Sequence, residues 1–194
     1  FVSAGRLTPR PSVVPSVQTP VLSLNGTWKF NPAPEKEFWK NTTFDVSAWK
    51  PIAVPGEWYM QGYTVATGVQ AGYQRDFFLP ADWADQRIKL RCDGVYCETN
   101  VWINGHLAGQ HKGLNTPFEM DITDFVRPRT AANSIVLAVC SSGTKSDSLA
   151  VGNLYAEFDL GGINRKVTLF AVPEVNIASL DINTSFDKTY TDAT

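Results

Sequence analysis

The sequence lacks the features of several large functional classes. It has two histidines, His106 and His111, and no HExxH or paired CxxC motif, so we expect no metal site with three or four clustered ligands. Its 17 Lys and Arg are scattered among 19 Asp and Glu, without the basic face that nucleic-acid binding requires. No apolar run approaches the ~18–20 residues that span a bilayer. Phosphate-binding glycine loops and a GxSxG nucleophile motif are also absent, so we expect no cofactor and no complete catalytic site.

Cysteine is scarce as well. The three cysteines are an odd number, so they cannot form a complete disulfide framework. Cys92 and Cys140 fall in apolar strand patterns and are interpreted as small core residues. A Cys92–Cys97 disulfide across a turn is the alternative.

The residues that are abundant indicate an all-β domain. Hydrophobic residues make up 43% of the chain and aromatic residues 12%, which is enough for a substantial core. About ten segments alternate as strands do, for example Ile88, Leu90 and Cys92 on one face, and no helical pattern reaches ten residues. Asn104-Gly105 between two strand-like runs predicts a tight hairpin turn. Short strands separated by turn residues predict a β-sandwich.

The pattern divides the chain into three parts. Residues 1–23 contain four prolines and are predicted to be an extended lead-in, and residues 24–173 carry the strand signals. Within them, residues 60–72 form a long irregular loop, which is a candidate for function. After Pro173, residues 174–194 begin a fresh alternation with no following partner strand, so we expect the partner to lie outside this sequence.

Several motifs in this order resemble a known family. They are LNGTWKF (24–30), VPGEW (54–58), the F-x-LP-x-x-W pattern (78–83), DGV (93–95), VWINGHLAGQHKGLNTPFEMDIT (101–123) and GGINRKVTLF (161–170). Together they resemble the amino-terminal sugar-binding domain of family 2 glycoside hydrolases, which include β-galactosidases, β-glucuronidases and β-mannosidases. The resemblance implies a jelly-roll β-sandwich that is galactose-binding-domain-like.

The resemblance also implies a function. The chain would be a non-catalytic domain of a retaining glycosidase that binds carbohydrate, scaffolds the barrel and shapes its substrate mouth. The partners would be a downstream immunoglobulin-like domain, whose first strand lies in 174–194, and a TIM barrel with both catalytic glutamates. The alternatives are a stand-alone carbohydrate-binding module and a purely structural adhesion-type sandwich. Export to the periplasm or the medium is favoured over a cytoplasmic location.

Two acidic residues are candidate sugar contacts. In the family, a loop before the Gly-Ile motif reaches towards the barrel, where an acidic or polar residue touches the sugar; the position is most often acidic. The matching position holds Ala156 in this sequence, so the resemblance points to the neighbouring Glu157 or Asp159 instead.

Aromatic residues give a third candidate. Trp58, Tyr59 and Tyr63 follow one another in or near the long loop, and an exposed aromatic face there could stack on a sugar. The alternative for Trp58 and Tyr59 is packing in the core or between domains.

The last motif is interpreted as structural. Gly161 and Gly162 would allow close backbone approach before the final strand. Arg165 resembles the arginine that follows the family's Gly-Ile pair and is expected to bind acidic or carbonyl partners.

Overall fold

The computed structural model describes residues 7, 9–40, 45–127, 130–140, 161–177, 179 and 183–191. Within them the chain forms strands and four short 3-10 helices, and no α-helix. The strands are β1 Val21–Ser23, β2 Gly26–Asn31, β3 Lys50–Val54, β4 Gly56–Glu57, β5 Gln70–Phe77, β6 Arg87–Cys92, β7 Val95–Tyr96, β8 Glu98–Ile103, β9 His106–Lys112, β10 Phe118–Asp121, β11 Asn133–Cys140, β12 Gly162–Ile163 and β13 Val167–Val172. The 3-10 helices are Phe38–Lys40, Tyr59–Gln61, Ala81–Trp83 and Thr123–Phe125.

Two antiparallel sheets form the sandwich. One has four strands in the order β1-β13-β6-β10, and the other has six in the order β3-β2-β5-β11-β8-β9. A third, small sheet has the order β4-β12-β7. The predicted all-β sandwich is therefore confirmed.

The core lies between the two large sheets and follows the alternation of the sequence. On β6, Ile88, Leu90 and Cys92 are buried while the residues between them are half-buried, as predicted. On β2, Trp28 and Phe30 alternate into the core in the same way. Inward-facing side chains of both sheets thus form one apolar layer.

The predicted hairpin turn joins β8 and β9. Asn104 has φ 51° and Gly105 φ 84°, the left-handed pair that a tight hairpin needs. Asn104 also serves as a cross-link, because its Nδ2 donates to Phe125 O at 2.8 Å and to Asn133 Oδ1 at 2.8 Å. Its Oδ1 accepts from Ser134 N at 2.9 Å.

Aromatic residues cover part of the outer face of the six-stranded sheet. This outer aromatic cluster comprises Phe38, Trp39, Trp49 and Trp102. The rings of Trp39 and Trp102 stack at 4.8 Å with an interplanar angle of 20°, and Phe38 meets Trp49 edge-on at 5.4 Å. Gly72 is required beneath it, because a methyl group there would overlap the Trp49 ring. Apolar residues are therefore buried on both faces of this sheet.

The sheets begin earlier than the sequence pattern indicates. Val21 already pairs with Phe170, because β1 forms an edge of the four-stranded sheet. Val14 is 2% exposed, so part of the proline-rich lead-in packs on the domain. Gln70 pairs with Cys140, and the long loop therefore ends three residues before the predicted Gly72.

Beyond the sandwich, the apolar residues are exposed. Val175 is 90% and Ile177 65% exposed, and no strand follows Val172 within the described residues. Leu180 and Ile182, which complete the predicted alternation, lie outside the described residues. The first strand of an immunoglobulin-like domain in 174–194 stays a prediction.

The three cysteines are free thiols. Cys92, Cys97 and Cys140 are all buried, which confirms the core interpretation and gives no disulfide between Cys92 and Cys97. Burial raises the pKa of the Cys92 thiol well above its usual value. Among the described residues, no helix has the length and hydropathy to cross a lipid bilayer.

Candidate functional site

Three of the sequence motifs meet in the small sheet β4-β12-β7, which we call the motif sheet. Gly162 pairs with Glu57 on one side and with Tyr96 on the other, and Ile163 lies between Gly56 and Val95. These strands are two residues long, so each depends on its neighbours rather than on its own length. The motif sheet thus joins VPGEW, the segment after DGV and the GGIN turn.

Trp58 and Gly161 lock together at the edge of the motif sheet. Trp58 N donates to Gly161 O at 3.2 Å, and a methyl group on Gly161 would overlap the indole ring. Gly162 has φ 111°, which only glycine adopts readily, and the Tyr73 hydroxyl lies against it. The predicted close approach at both glycines is confirmed.

The Glu57 carboxylate fastens the same contact from its other side. Its Oε1 accepts from Gly161 N at 3.3 Å, and its Oε2 accepts from Met60 N at 2.7 Å. Gln61 Nε2 donates to the Glu57 carbonyl at 3.2 Å. Burial raises the pKa of Tyr73, and the nearby Glu57 carboxylate raises it further, so the tyrosine hydroxyl stays protonated. Both oxygens of the Glu57 carboxylate therefore accept hydrogen bonds from backbone N–H groups.

The two ends of residues 141–160 meet beside the motif sheet. Cys140, which precedes them, accepts a hydrogen bond from Cys97 N at 2.9 Å. Gly161 follows them directly, and the next residue, Gly162, pairs with Tyr96. One dipeptide, Tyr96-Cys97, thus contacts both ends of a twenty-residue segment. This arrangement positions a segment; it does not itself supply a reaction centre.

The predicted contacts Glu157 and Asp159 belong to that segment. Both lie outside the described residues, so their role stays a prediction. What the structure describes is the anchor two residues after Asp159, where Gly161 is held by Trp58 and Glu57.

Trp58, the third predicted contact, is 1% exposed. An indole with no open face cannot stack on a sugar ring, so the alternative of core packing describes Trp58 in this structure. Tyr63 packs edge-on against Phe30 at 4.8 Å and donates its hydroxyl to Pro51 O at 2.7 Å. Tyr59 is 39% exposed and is the most open of the three aromatic candidates.

Arg165 lies at the opposite edge of the motif sheet. Its backbone N and that of Asn164 both donate to Gly94 O, at 3.2 and 3.1 Å. Its side chain is exposed along an open cleft of about 480 Å³ that also contains Arg91 and Asp93. Within the described part of the chain, the guanidinium has no acidic or carbonyl partner of the kind expected from the resemblance.

The two histidines contact aromatic rings, and His111 also contacts a hydroxyl group. His111 is buried, stacks on Phe118 at 4.3 Å and contacts Thr116 Oγ1 through Nε2 at 3.2 Å. Burial lowers the pKa of His111. His106 lies at the start of β9 and stacks on Phe125 at 6.1 Å. In the residues that the structure describes, no group of three His, Cys, Asp or Glu side chains could hold a metal ion.

Glu57 is the residue that the analysis of the sequence missed. It stands inside the VPGEW motif, between Gly56 and the buried Trp58. The available signal was an acidic residue next to a buried aromatic one, a position where a carboxylate commonly satisfies backbone N–H groups.

Comparison with known proteins is consistent with this architecture. Residues 21–173 match the family model described as "Glycosyl hydrolases family 2, sugar binding domain". A β-galactosidase of Priestia megaterium is 28% identical over 198 residues, which cover 88% of this chain and 18% of that protein. A β-galactosidase of Yersinia pestis is 27% identical over 207 residues, which cover 95% of this chain and again 18% of the relative. The chain therefore spans about a fifth of the length of these relatives.

Solved structures agree. A β-glucuronidase of Bacteroides uniformis superimposes with a TM-score of 0.63 at 29% identity, over 79% of this chain and 18% of that one. A β-glucuronidase of Bifidobacterium dentium, complexed with coumarin-3-O-glucuronide, gives a TM-score of 0.63 at 28% identity, over 79% and 30% of the two chains. With the motif sheet formed by the family's own motifs and a family match over most of its length, this chain belongs to the sugar-binding domains of glycosyl hydrolases family 2.

Proposed function

We propose that this chain serves a β-glycosidase as a non-catalytic domain that holds one wall of the substrate mouth. The catalytic centre would lie in a TIM barrel downstream of an immunoglobulin-like domain whose first strand lies in 174–194. The reaction would proceed with retention, one glutamate acting as nucleophile and the other as acid and base.

One observation carries the proposal: both ends of residues 141–160 are fixed at Tyr96-Cys97, and Gly161 is clamped by Trp58 and Glu57. Gly161, which follows this segment directly, is therefore held at a defined place beside the motif sheet. Glu157 and Asp159 belong to the segment and are the residues that we propose to touch the sugar. The named relatives, β-galactosidases and β-glucuronidases, support a β-linked substrate.

The test uses the complete reading frame that encodes this chain, assayed with aryl β-galactosides, β-glucuronides and β-mannosides. We expect hydrolysis of at least one of them, with the β-anomer as the first product in a proton NMR time course. The 194-residue chain alone is expected to hydrolyse none. No hydrolysis of any substrate by the complete protein, or a first product of inverted configuration, would contradict the proposal.

A point variant separates the role of the anchor from general folding. In the complete protein, Glu57→Ala leaves the barrel unchanged and frees Gly161 N, so we expect KM for the aryl glycoside to rise several-fold with a smaller change in kcat. Glu174→Ala is the matched control, because Glu174 is 78% exposed and makes one long contact to Arg87 at 3.7 Å. Equal KM values for both variants would show that the anchor does not shape the mouth.

A further inference from the structure

An open cavity of about 380 Å³, with both polar and apolar lining, lies on the outer face of the six-stranded sheet, beside the outer aromatic cluster. Trp39, Gln70, Glu98 and Cys140 are among the residues that line it. Its size falls within the range of small-molecule sites, about 300–1,000 Å³. It lies next to Cys140, where residues 141–160 begin.

Strand register places the polar groups of this cavity side by side. Cys140 of β11 pairs with Gln70 of β5 on one side and with Glu98 of β8 on the other. Neighbouring strands lie about 4.8 Å apart, so the backbones at Gln70 and Glu98 are separated by about 10 Å. Because side chains alternate along a strand, Gln70 shares the face of Gly72, and Glu98 that of Trp102, both at the outer aromatic cluster.

Three of the polar groups that line the cavity are available to a ligand. Within the described ranges, the Glu98 carboxylate, the Gln70 amide and the Trp39 indole N–H make no hydrogen bond or ion pair. All three side chains are half-buried. One face of Trp39 is held by its stack on Trp102, which fixes the plane of the indole before any ligand arrives.

This set of groups suits a sugar. A carboxylate accepts hydrogen bonds from hydroxyl groups, and an amide both donates and accepts them. An indole provides an apolar surface with one N–H donor, which matches the mixed C–H and O–H surface of a pyranose ring.

The charge of the cavity selects among sugars. Among the described residues that line it, Glu98 carries a carboxylate that makes no ion pair within the described part of the chain. Like charges at close range disfavour a second carboxylate, so a uronic acid would be repelled. We propose that this cavity binds one neutral pyranose ring and rejects uronic acids, a subsite that rests on the proposed glycosidase function and adds a preference to it.

The test is a titration of the 194-residue chain with methyl β-galactoside, methyl β-mannoside and glucuronate. Binding is measured by the change in the NMR chemical shifts of the chain. We expect millimolar binding of a neutral glycoside and at least about tenfold weaker binding of glucuronate, because the Glu98 carboxylate repels the carboxylate of the ligand. Glu98→Gln replaces a charge-assisted hydrogen bond with a neutral one, so we expect the affinity for neutral sugars to fall about tenfold. The ratio between the affinities for neutral sugar and for glucuronate should also become smaller, because the repelling charge is gone.

Further variants guard against a merely structural effect. Trp39→Phe keeps an aromatic ring on Trp102 but removes the indole N–H, and we expect it to weaken binding while the chain stays folded. The matched controls are Glu174→Gln and Phe78→Ala, since Glu174 is 78% and Phe78 61% exposed and neither lines the cavity. Both controls are expected to bind like the unaltered chain.

The outcomes separate this subsite from the proposed function. Binding that neither Glu98→Gln nor Trp39→Phe weakens, or glucuronate binding as tight as that of the galactoside, overturns the subsite. A chain that binds no sugar, while the complete protein hydrolyses glycosides, overturns the subsite and leaves the proposed function standing. Absence of both activities overturns both.

Discussion

Replacing Gly161 with alanine tests the lock between the motif sheet and the core. A methyl group at Gly161 overlaps the indole of Trp58, which is 1% exposed and cannot swing into solvent. Gly161 is not in the left-handed region, so the backbone itself accepts alanine and the cost is steric. Either the indole or β12 must move.

The magnitude follows from the contacts on both sides of Gly161. Overpacking of a filled core costs about 1–3 kcal/mol. A shift of β12 also weakens the hydrogen bonds from Trp58 N and to Glu57 Oε1, each worth about 1 kcal/mol. Alanine lowers the conformational entropy of the unfolded chain, which stabilises the folded state by about 0.4–1 kcal/mol and offsets part of this loss. We therefore expect a loss of about 2–4 kcal/mol, a large share of the roughly 5–15 kcal/mol that stabilises a typical domain.

Urea unfolding followed by tryptophan fluorescence measures this loss as a lower midpoint with an unchanged slope. Gly94→Ala is the matched control: its methyl group would meet the exposed Arg165 side chain at 3.1 Å, which can move aside, and Asn115 O at 3.2 Å. We expect it to cost less than about 1 kcal/mol.

A double-mutant cycle with Trp58→Phe isolates the clash. The smaller ring removes the indole atoms that Gly161→Ala would meet, so the two changes together should cost less than their sum by at least about 1 kcal/mol. Additive costs, or a loss below about 0.5 kcal/mol for Gly161→Ala alone, would refute the reasoning.

Three further predictions concern the rest of the domain. Asn104→Ala loses three side-chain hydrogen bonds and places alanine at φ 51°, so we expect it to lower the free energy of unfolding by about 2–4 kcal/mol in urea. Asn104→Gly loses the same hydrogen bonds but avoids the backbone strain, so it should cost less. Equal losses for the two variants would contradict this. Burial lowers the pKa of His111, so between the folded and unfolded pKa values the unfolded chain binds a proton that the folded chain does not. The free energy of unfolding should therefore be highest above about pH 6.5 and fall as the pH drops below that value. His111→Gln should flatten this decline and His106→Gln should not; a decline unaffected by His111→Gln would exclude His111 as its source. A thiol reagent should label Cys92, Cys97 and Cys140 only after denaturation, and labelling of the native chain would show that these thiols are not enclosed.

The parts of the fold that sequence reasoning predicted are those with a local cause. Asn104-Gly105 fixes its own turn through two left-handed residues, and alternation on β6 fixes which of its residues are buried. Both signals lie within a few neighbouring residues, so no tertiary information was needed.

The motif sheet had no such signal. Strands of two residues, such as Gly56–Glu57 and Gly162–Ile163, are too short to show any periodicity, and their pairing joins positions more than a hundred residues apart. The strand at Val21–Ser23 was hidden for a related reason, since it follows a proline and is held by β13 rather than by its own pattern. Trp58 shows the limit for single residues, because a buried and a ligand-binding tryptophan look alike in sequence.

The outer aromatic cluster shows a second limit. Trp102 alternates out of the core between Val101 and Ile103, and such an outward residue is ordinarily taken as exposed. It is buried because residues around Phe38 and Trp49 fold over the sheet, and that contact is visible only in three dimensions. The cavity at Glu98 lies beside the same aromatic residues, so it too could not be predicted from the sequence.

The meeting of both ends of residues 141–160 at Tyr96-Cys97 has an evolutionary consequence. A segment whose ends are already adjacent can be lengthened or exchanged cheaply, since each doubling of a loop's length costs only about 0.6 kcal/mol of closure entropy. Among the described residues, strand pairing reaches Cys140 before the segment and begins at Gly162 after it, and these pairs need not adjust. The sandwich can thus accept segments of different length and sequence between Cys140 and Gly161 while its own strands stay the same.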